Sequence, residues 1–346
     1  MKKLLLILLL FTSAIANSQS YSNSWIDFNK TYYKFPVAKD GVCHISQSTL
    51  QTLGLGNIPA EQFQLWRNGE QVTLYTSSAT GPLPATGYIE FWGKMNDGKI
   101  DTKLYLDPDY QLSDRYSLLT DTAAYFLTVN PEGNNLRFID DENNVTGTSL
   151  SPEPYFMNTK GNYFRERINP GNASVAEGSY LYSSSYDMGE GWSSLDVTPN
   201  HSINAGFVNL NLYKNGPAAS LNFAVSGNAL NSRNIRVKIF NTIVDDESMP
   251  LFSYLKKRID VVPLSLFLDL NTIPITFENA SSEVTDRYSI SKVELTYPST
   301  FNFNNQADFY FELPATATGN FLVIDNFNYG NVPPVLFDLS SNKRYI

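Results

Sequence analysis

Apolar and polar residues alternate along most of this chain, and few stretches carry the three-to-four-residue spacing of a helix. Tyr33-Lys34-Phe35-Pro36-Val37 and Val42-Cys43-His44-Ile45-Ser46 both alternate, with Lys39-Asp40-Gly41 between them, which predicts a hairpin. Residues 64–67 and 71–75 flank Asn68-Gly69, the strongest short hairpin signal a sequence offers. Residues 88–92 and 125–129 read as further strands of this first β-rich region. One short helix is expected at 48–53, ahead of Gly54-Leu55-Gly56. Residues 134–154 are polar, acidic and then Ser/Pro-containing, which predicts a loop or linker at a domain boundary. Residues 155–167 are aromatic and polar by turns, and Gly189-Glu190-Gly191-Trp192 marks a turn. From 201 to 298 short strands recur at sandwich-like spacing: 207–213, 219–225, 234–240, 261–268, 273–277 and 288–297. In the last of these, Val293, Leu295 and Tyr297 fall on one face and Lys292, Glu294 and Thr296 on the other. The tail adds expected strands at 309–313, 321–325 and 336–339.

The pattern predicts an all-β fold with little helix, built of two or more antiparallel β-sandwich or jelly-roll-like domains. Residues 20–150 form an N-terminal β-rich domain and 151–300 a jelly-roll-like sandwich. Residues 301–346 read as the start of a further β module, incomplete where the chain stops.

Residues 1–19 read as a secretory leader. Lys2 and Lys3 supply the positive start, Leu4 to Phe11 the apolar stretch, and Ala14, Ala16 and Ser18 the small residues of a cleavage site. That apolar stretch is too short to span a bilayer. The expectation is export to the periplasm, the outer-membrane surface or the medium. The formal net charge of −9 argues against a nucleic-acid partner, which needs a Lys/Arg surplus to neutralise phosphates. Lys256-Lys257-Arg258 and Asp245-Asp246-Glu247 read as solvated turns. A single cysteine rules out an internal disulfide framework, so stability must come from apolar burial. The 21 Tyr and 22 Phe suit such packing.

Little in the sequence spells catalysis. Cys43 and His44 are adjacent, but neighbours on a strand point to opposite faces and cannot form a thiolate–imidazole dyad. Cys43 is read as a small core residue. No nucleophile elbow, no phosphate-binding glycine loop and no single carboxylate pair stand out. Asn96-Asp97-Gly98-Lys99-Ile100-Asp101 offers oxygen ligands, so Asn96, Asp97 and Asp101 mark either a calcium site or a plain hairpin turn. Zinc does not suit one Cys and two His. Trp66, Trp92 and Trp192 sit near turns, with Tyr180, Tyr182 and Tyr186 close to the last. Trp92, Tyr182 and Trp192 are the binding candidates, either stacking on a glycan or gripping a protein, the alternative being core and edge packing. Tyr180, Tyr182 and Tyr186 share a face if their strand is continuous.

Two longer phrases carry a resemblance. GYIEFWGKMNDGKIDTKLY at 87–105 and YSLLTDTAAYFLTVN at 116–130 resemble the N-terminal region of gingipain-type cysteine peptidases, and among them the sortases of the bacterial type IX secretion system. Trp25-Ile26-Asp27-Phe28, Tyr32-Tyr33-Lys34, Leu295-Thr296-Tyr297-Pro298 and Phe337-Asp338-Leu339 add to it. The resemblance implies that the catalytic His and Cys belong to a separate downstream α/β domain, so no residue here inherits their role. It implies a full-length surface-associated cysteine endopeptidase that removes C-terminal sorting signals from secreted cargo. This chain would then be its non-catalytic N-terminal part, inactive alone and without a cofactor. Its partners would be the downstream peptidase domain, secretion-machine proteins and cargo. The alternative is a free-standing exported β-sandwich protein that binds glycan or protein.

Overall fold

The computed structural model describes residues 23–176, 179–182, 185–317 and 319–346, with the backbone alone for 173–176 and 179–182. The expected leader at 1–19 lies outside the described residues. The fold is all-β, with 42% of residues in strands and 6% in helices. The expected helix forms at Gln47–Thr52, where the Ser46 side chain accepts the Thr49 N–H as its N-cap. The chain divides into two compact units. The first gathers 43–92, 124–138 and the described residues before 37; the second gathers 37–42, 93–123 and 139–346.

In the first unit one sheet has the order Tyr33–Val37, Ala123–Val129, Phe63–Arg67, Glu70–Val72. A second has the order Gly41–Ser46, Tyr88–Gly93, Tyr75–Thr76. The Asn-Gly hairpin forms as its chemistry demands. Asn68 (φ 51°) and Gly69 (φ 83°) take the two left-handed positions of a type I′ turn, and Arg67 pairs with Glu70. Alternation along Tyr88–Gly93 buries Ile89 and Phe91. Phe91 packs 5.9 Å from Phe35 and 5.4 Å from Tyr125, ring centre to ring centre.

The hairpin expected at 33–46 does not form, because its two strands join different sheets. The corner between them is held by Asp40, whose carboxylate accepts the Met95 N–H at 2.8 Å and meets Arg115 at 3.1 Å. Likewise the run expected at 71–75 splits, ending one strand at Val72 and opening another at Tyr75.

The second unit is built around a sandwich. Its front sheet has the order Tyr254–Val262, Ala219–Gly227, Tyr288–Ser299, Phe156–Tyr163, antiparallel throughout. Its back sheet has the order Ile203–Asn204, Ile275–Asn279, Ser232–Ile239, Thr242–Pro250. Leu221, Phe223, Val225, Val293, Leu295 and Tyr297 of the front sheet interlock with Ile235, Val237, Ile239, Ile275 and Phe277 of the back. Burial of each such side chain contributes about 1.5–3 kcal/mol. Val293, Leu295 and Tyr297 are buried while Lys292, Glu294 and Thr296 are half-exposed, as the alternation predicted.

Several expected elements change character. Residues 207–213 alternate in sequence but form no regular strand. Asn209 (φ 55°) and Asn211 (φ 52°) are left-handed, a conformation asparagine tolerates, and only Phe207–Ile273 and Leu212–Ser299 bridge. The strand expected at 261–268 stops at Val262, because Pro263 cannot donate to a ladder and opens a 3₁₀ turn, Leu264–Leu266. The two charge runs lie within strands rather than in turns. Thr242–Pro250 and Tyr254–Val262 are the outer strands of their sheets, where charged side chains are tolerated. There Lys257 meets Asp245 at 2.5 Å and also Glu247, while Arg236 meets Asp246 at 2.9 Å.

Towards the C-terminus, Asn302–Gln306 pairs parallel with Asp325–Phe327, and Lys343–Tyr345 joins Leu336–Asp338 to Ile139–Asp140. The stretch expected as a strand at 309–313 is irregular. Its Phe309 and Phe311 pack on Phe156, Phe301 and Phe303 instead of pairing in a sheet. Residues 134–154 are mostly loop, as expected, but contribute that short Ile139–Asp140 strand.

Candidate functional site: an aromatic and arginine surface on the second unit

Residues 93–123 and 163–193 meet within the second unit. The first of these segments closes on itself before it meets anything else. The Asn96 N–H donates to the Asp121 carbonyl at 2.8 Å, and its side-chain amide donates to the Thr120 carbonyl at 2.6 Å. The buried Asp101 carboxylate accepts the Leu118 N–H at 2.8 Å. Asp97 accepts the Lys99 N–H at 3.2 Å and pairs with its ammonium at 3.6 Å. The three calcium candidates are therefore engaged in loop closure, two of them directly across the loop. Among the described residues no group of three or more His, Cys, Asp or Glu side chains is placed to hold a metal.

Two aromatic residues fasten the loop to the antiparallel strand pair Arg167–Pro170 and Glu190–Ser193. Buried Tyr105 donates its hydroxyl to the Glu190 carbonyl at 2.8 Å. Burial, with the Glu190 and Asp101 carboxylates nearby, pushes that phenol well above its ordinary range, so it stays protonated as a donor. Burial also raises the Glu190 carboxyl, against the Tyr186 and Asp187 N–H groups that it accepts. Trp192 donates its indole N–H to the Ser117 carbonyl at 3.0 Å.

Arg165 completes the cluster. Its guanidinium lies 4.7 Å from the Trp192 ring centre and 4.9 Å from that of Tyr116, and it meets the Asp121 carboxylate at 2.5 Å. Arg115 repeats the motif nearby, 5.8 Å over Tyr163 and paired with Asp40. Cations flanked by aromatic faces and closed by a carboxylate make a rigid polar surface. It can hold a segment in register, but it presents no nucleophile beside a base.

Of the binding candidates, Trp192 is thus a structural anchor as well as a half-exposed ring. Trp92 is half-buried at the end of Tyr88–Gly93 in the first unit. Tyr182 pairs with Ala173 in the strand Ser179–Tyr182, and its side chain lies outside the described residues. That strand ends at Tyr182. Tyr186 follows in a turn (φ 56°), its ring 5.5 Å from that of Tyr105. Cys43 is half-buried rather than a core residue, and His44 is exposed, 3.4 Å from Glu90. His201 faces the Asp196 carbonyl at 3.3 Å. Sequence reasoning missed Arg165, Tyr116 and Asp121. Their only trace is that Tyr116 and Asp121 lie inside the 116–130 phrase.

Trp192→Phe is expected to destabilise the second unit by about 1–2 kcal/mol, because it leaves the Ser117 carbonyl without its donor and weakens the cation–π contact. Urea unfolding of the two proteins measures this, and Arg165→Gln should lose a similar amount.

No protein-family model and no curated protein matches the chain. Among solved structures it is similar to dimeric latent PorU from Porphyromonas gingivalis, with 9% identity and a TM-score of 0.44 over 79% of this chain. The chain spans 24% of that protein's length. A CBM36-1 domain of a multidomain xylanase from the hindgut metagenome of Trinervitermes trinervoides aligns at 10% identity and TM-score 0.25, over 40% of this chain and 96% of that one. A CBM36 carbohydrate-binding module in complex with calcium and xylotriose aligns at 7% identity and TM-score 0.25, over 39% and 98%.

Proposed function

We propose that this chain is the non-catalytic, exported N-terminal scaffold of a gingipain-type cysteine endopeptidase, of the sortase kind that processes C-terminal sorting signals of type IX-secreted cargo. The observation that carries the reading is the pair of phrases at 87–105 and 116–130 that resemble that family. The parts of both phrases that lie in the second unit come together there. Asn96, Asp101 and Tyr105 from the first phrase, with Tyr116, Ser117 and Asp121 from the second, build the loop that Trp192 and Arg165 clamp. A pre-formed polar surface of this kind suits docking of a protein segment, whether from the peptidase domain, the secretion machinery or cargo. Calcium has no part in this reading.

The alternative, a free-standing glycan binder centred on Trp192, has less support. A sugar stacks on a bare ring face, and Arg165 covers one face of Trp192 while Ser117 takes its N–H.

Immunoblotting of cell fractions with an antibody to residues 20–346 tests the proposal. It predicts a band far above the chain's own 38.8 kDa. It also predicts that the purified chain leaves a cargo sorting-signal peptide intact. A band at or just below the chain's own mass, or cleavage that Cys43→Ala abolishes, would overturn it.

A further inference from the structure

Two outer strands of the sandwich lie on the same side of it. Thr242–Pro250 ends the back sheet and Tyr254–Val262 ends the front sheet, and among the described residues neither has a strand partner on its outer side. At nine residues each they are long edges, of the kind that invites pairing with another chain. They also complement each other between copies, because Lys256 and Arg258 point away from the core on one and Asp246 on the other. A bulge interrupts each edge near one end. Val244 is an extra residue against Val237 and Lys238, and Asp260 and Val261 stand against Ser220. That leaves 245–250 and 254–259 in regular register.

The regular stretches carry inward-pointing charges. Lys257 pairs with Phe223, Asp245 with Val237 and Glu247 with Ile235, all core residues, so the three charged side chains lie on the inner faces of their sheets. The Lys257 ammonium crosses between the sheets to meet the Asp245 carboxylate at 2.5 Å and also that of Glu247. Against the downward pull of burial, the two carboxylates raise the ammonium above its ordinary range. The Asp245 side chain is 10% exposed, whereas those of Lys257 and Glu247 are 29% and 41% exposed and reach solvent through the open side. Asp245 Oδ2 is buried without a protein donor, a cost that an apolar residue there would not carry.

We propose that Lys257, Asp245 and Glu247 form a guard that keeps the two edges from pairing with a second copy of this chain. A strand added to either edge would extend its sheet across the open side. The trio would then lose its water, with two carboxylates facing one ammonium. Desolvating charges that are not balanced is costly and offsets what an added ladder contributes. A second copy is the partner the edges select, because every molecule carries both the basic outer strand and the acidic one. The guard lies wholly in the second unit and does not depend on the scaffold reading, because either a scaffold or a free-standing protein could carry it.

Light scattering of the purified chain over a concentration series tests it, against the variant Lys257→Leu/Asp245→Val/Glu247→Val. The wild type is expected to hold one mass, and the variant to reach about twice that mass or more. Its peptides from 242–262 should gain protection from hydrogen exchange as the mass rises. Arg236→Leu/Asp246→Val, which removes an outward ion pair from the same sandwich, should stay at the wild-type mass. Circular dichroism checks that the variants fold. Should the apolar variant not fold, Lys257→Met/Asp245→Asn/Glu247→Gln removes the charges with little change of shape and carries the comparison. An unchanged mass in the folded variant overturns the proposal, because the trio would then only tie the two sheets together. So does equal association of the outward variant, or growth in mass without protection of 242–262.

Discussion

Replacing Arg233 with alanine is expected to remove about 3–5 kcal/mol from the stability of the second unit. Arg233 and Asp286 are both fully buried, and their charges meet at 2.9 Å. The rest of the guanidinium donates to three carbonyl oxygens: Leu251 at 2.6 Å, Asn231 at 2.6 Å and Ala229 at 3.1 Å. Asp286 also accepts the side-chain amide of Asn279 at 2.9 Å. One side chain thus gathers the loops around 229–231, 251 and 286. The backbone is shaped to admit it: a Cβ on Gly227 would lie 2.1 Å from Arg233 Nη1 and 2.0 Å from the Leu251 oxygen. Truncation would strand a buried carboxylate with one amide donor and take a donor from three carbonyls, of which that of Asn231 keeps the Leu251 N–H, and this is costlier than never having buried a pair.

The double variant Arg233→Ala/Asp286→Ala should therefore lose clearly less than the sum of the single losses. Hydrogen exchange of peptides from 219–299 in urea reads this unit apart from the first. A loss below about 1 kcal/mol would mean that the pair is solvated and surface-like.

What could be seen in advance divides along a physical line. Features closed within a few residues were visible. Asn68-Gly69 can make only a tight turn, and the alternation at 293–297 can bury only one face. Features closed by distant residues were not. Nothing local distinguishes 207–213 from a strand, because the left-handed asparagines follow from the bridges to Ile273 and Ser299. The acidic run at 245–247 looks like a solvated turn until Lys257 is seen to meet two of its carboxylates. Arg233 and Asp286 are 53 residues apart, and neither position suggests burial.

The candidate surface follows the same logic. Trp192 was visible as an aromatic near a turn, but its anchor Ser117 lies 75 residues upstream, and Arg165 carries no mark of the two rings that flank it. The phrases at 87–105 and 116–130 were visible as words, whereas the loop they build required the fold.

Phe223→Ala should cost a comparable 3–5 kcal/mol. Phe223 sits mid-way along Ala219–Gly227, with Lys257 opposite it on one neighbouring strand and Val293 on the other. Its fully buried ring meets Phe277 of the back sheet edge-on, 5.3 Å between centres at 80°. Three losses add in alanine: the transfer energy of the ring, the edge-to-face contact worth about 0.5–1.5 kcal/mol, and the cavity. The cavity cannot collapse easily, because a strand paired on both sides has no freedom to move inward without breaking two ladders.

Phe223→Leu keeps most of the volume and should lose no more than about 1.5 kcal/mol. The aromatic contact is isolated by Phe277→Leu and the double leucine variant, with an expected coupling of about 0.5–1.5 kcal/mol. Urea unfolding with the same exchange readout measures all four proteins. If Phe223→Ala cost no more than Phe223→Leu, the two sheets would be closing over the gap, and the sandwich would be held by its edges rather than by the core that joins its faces.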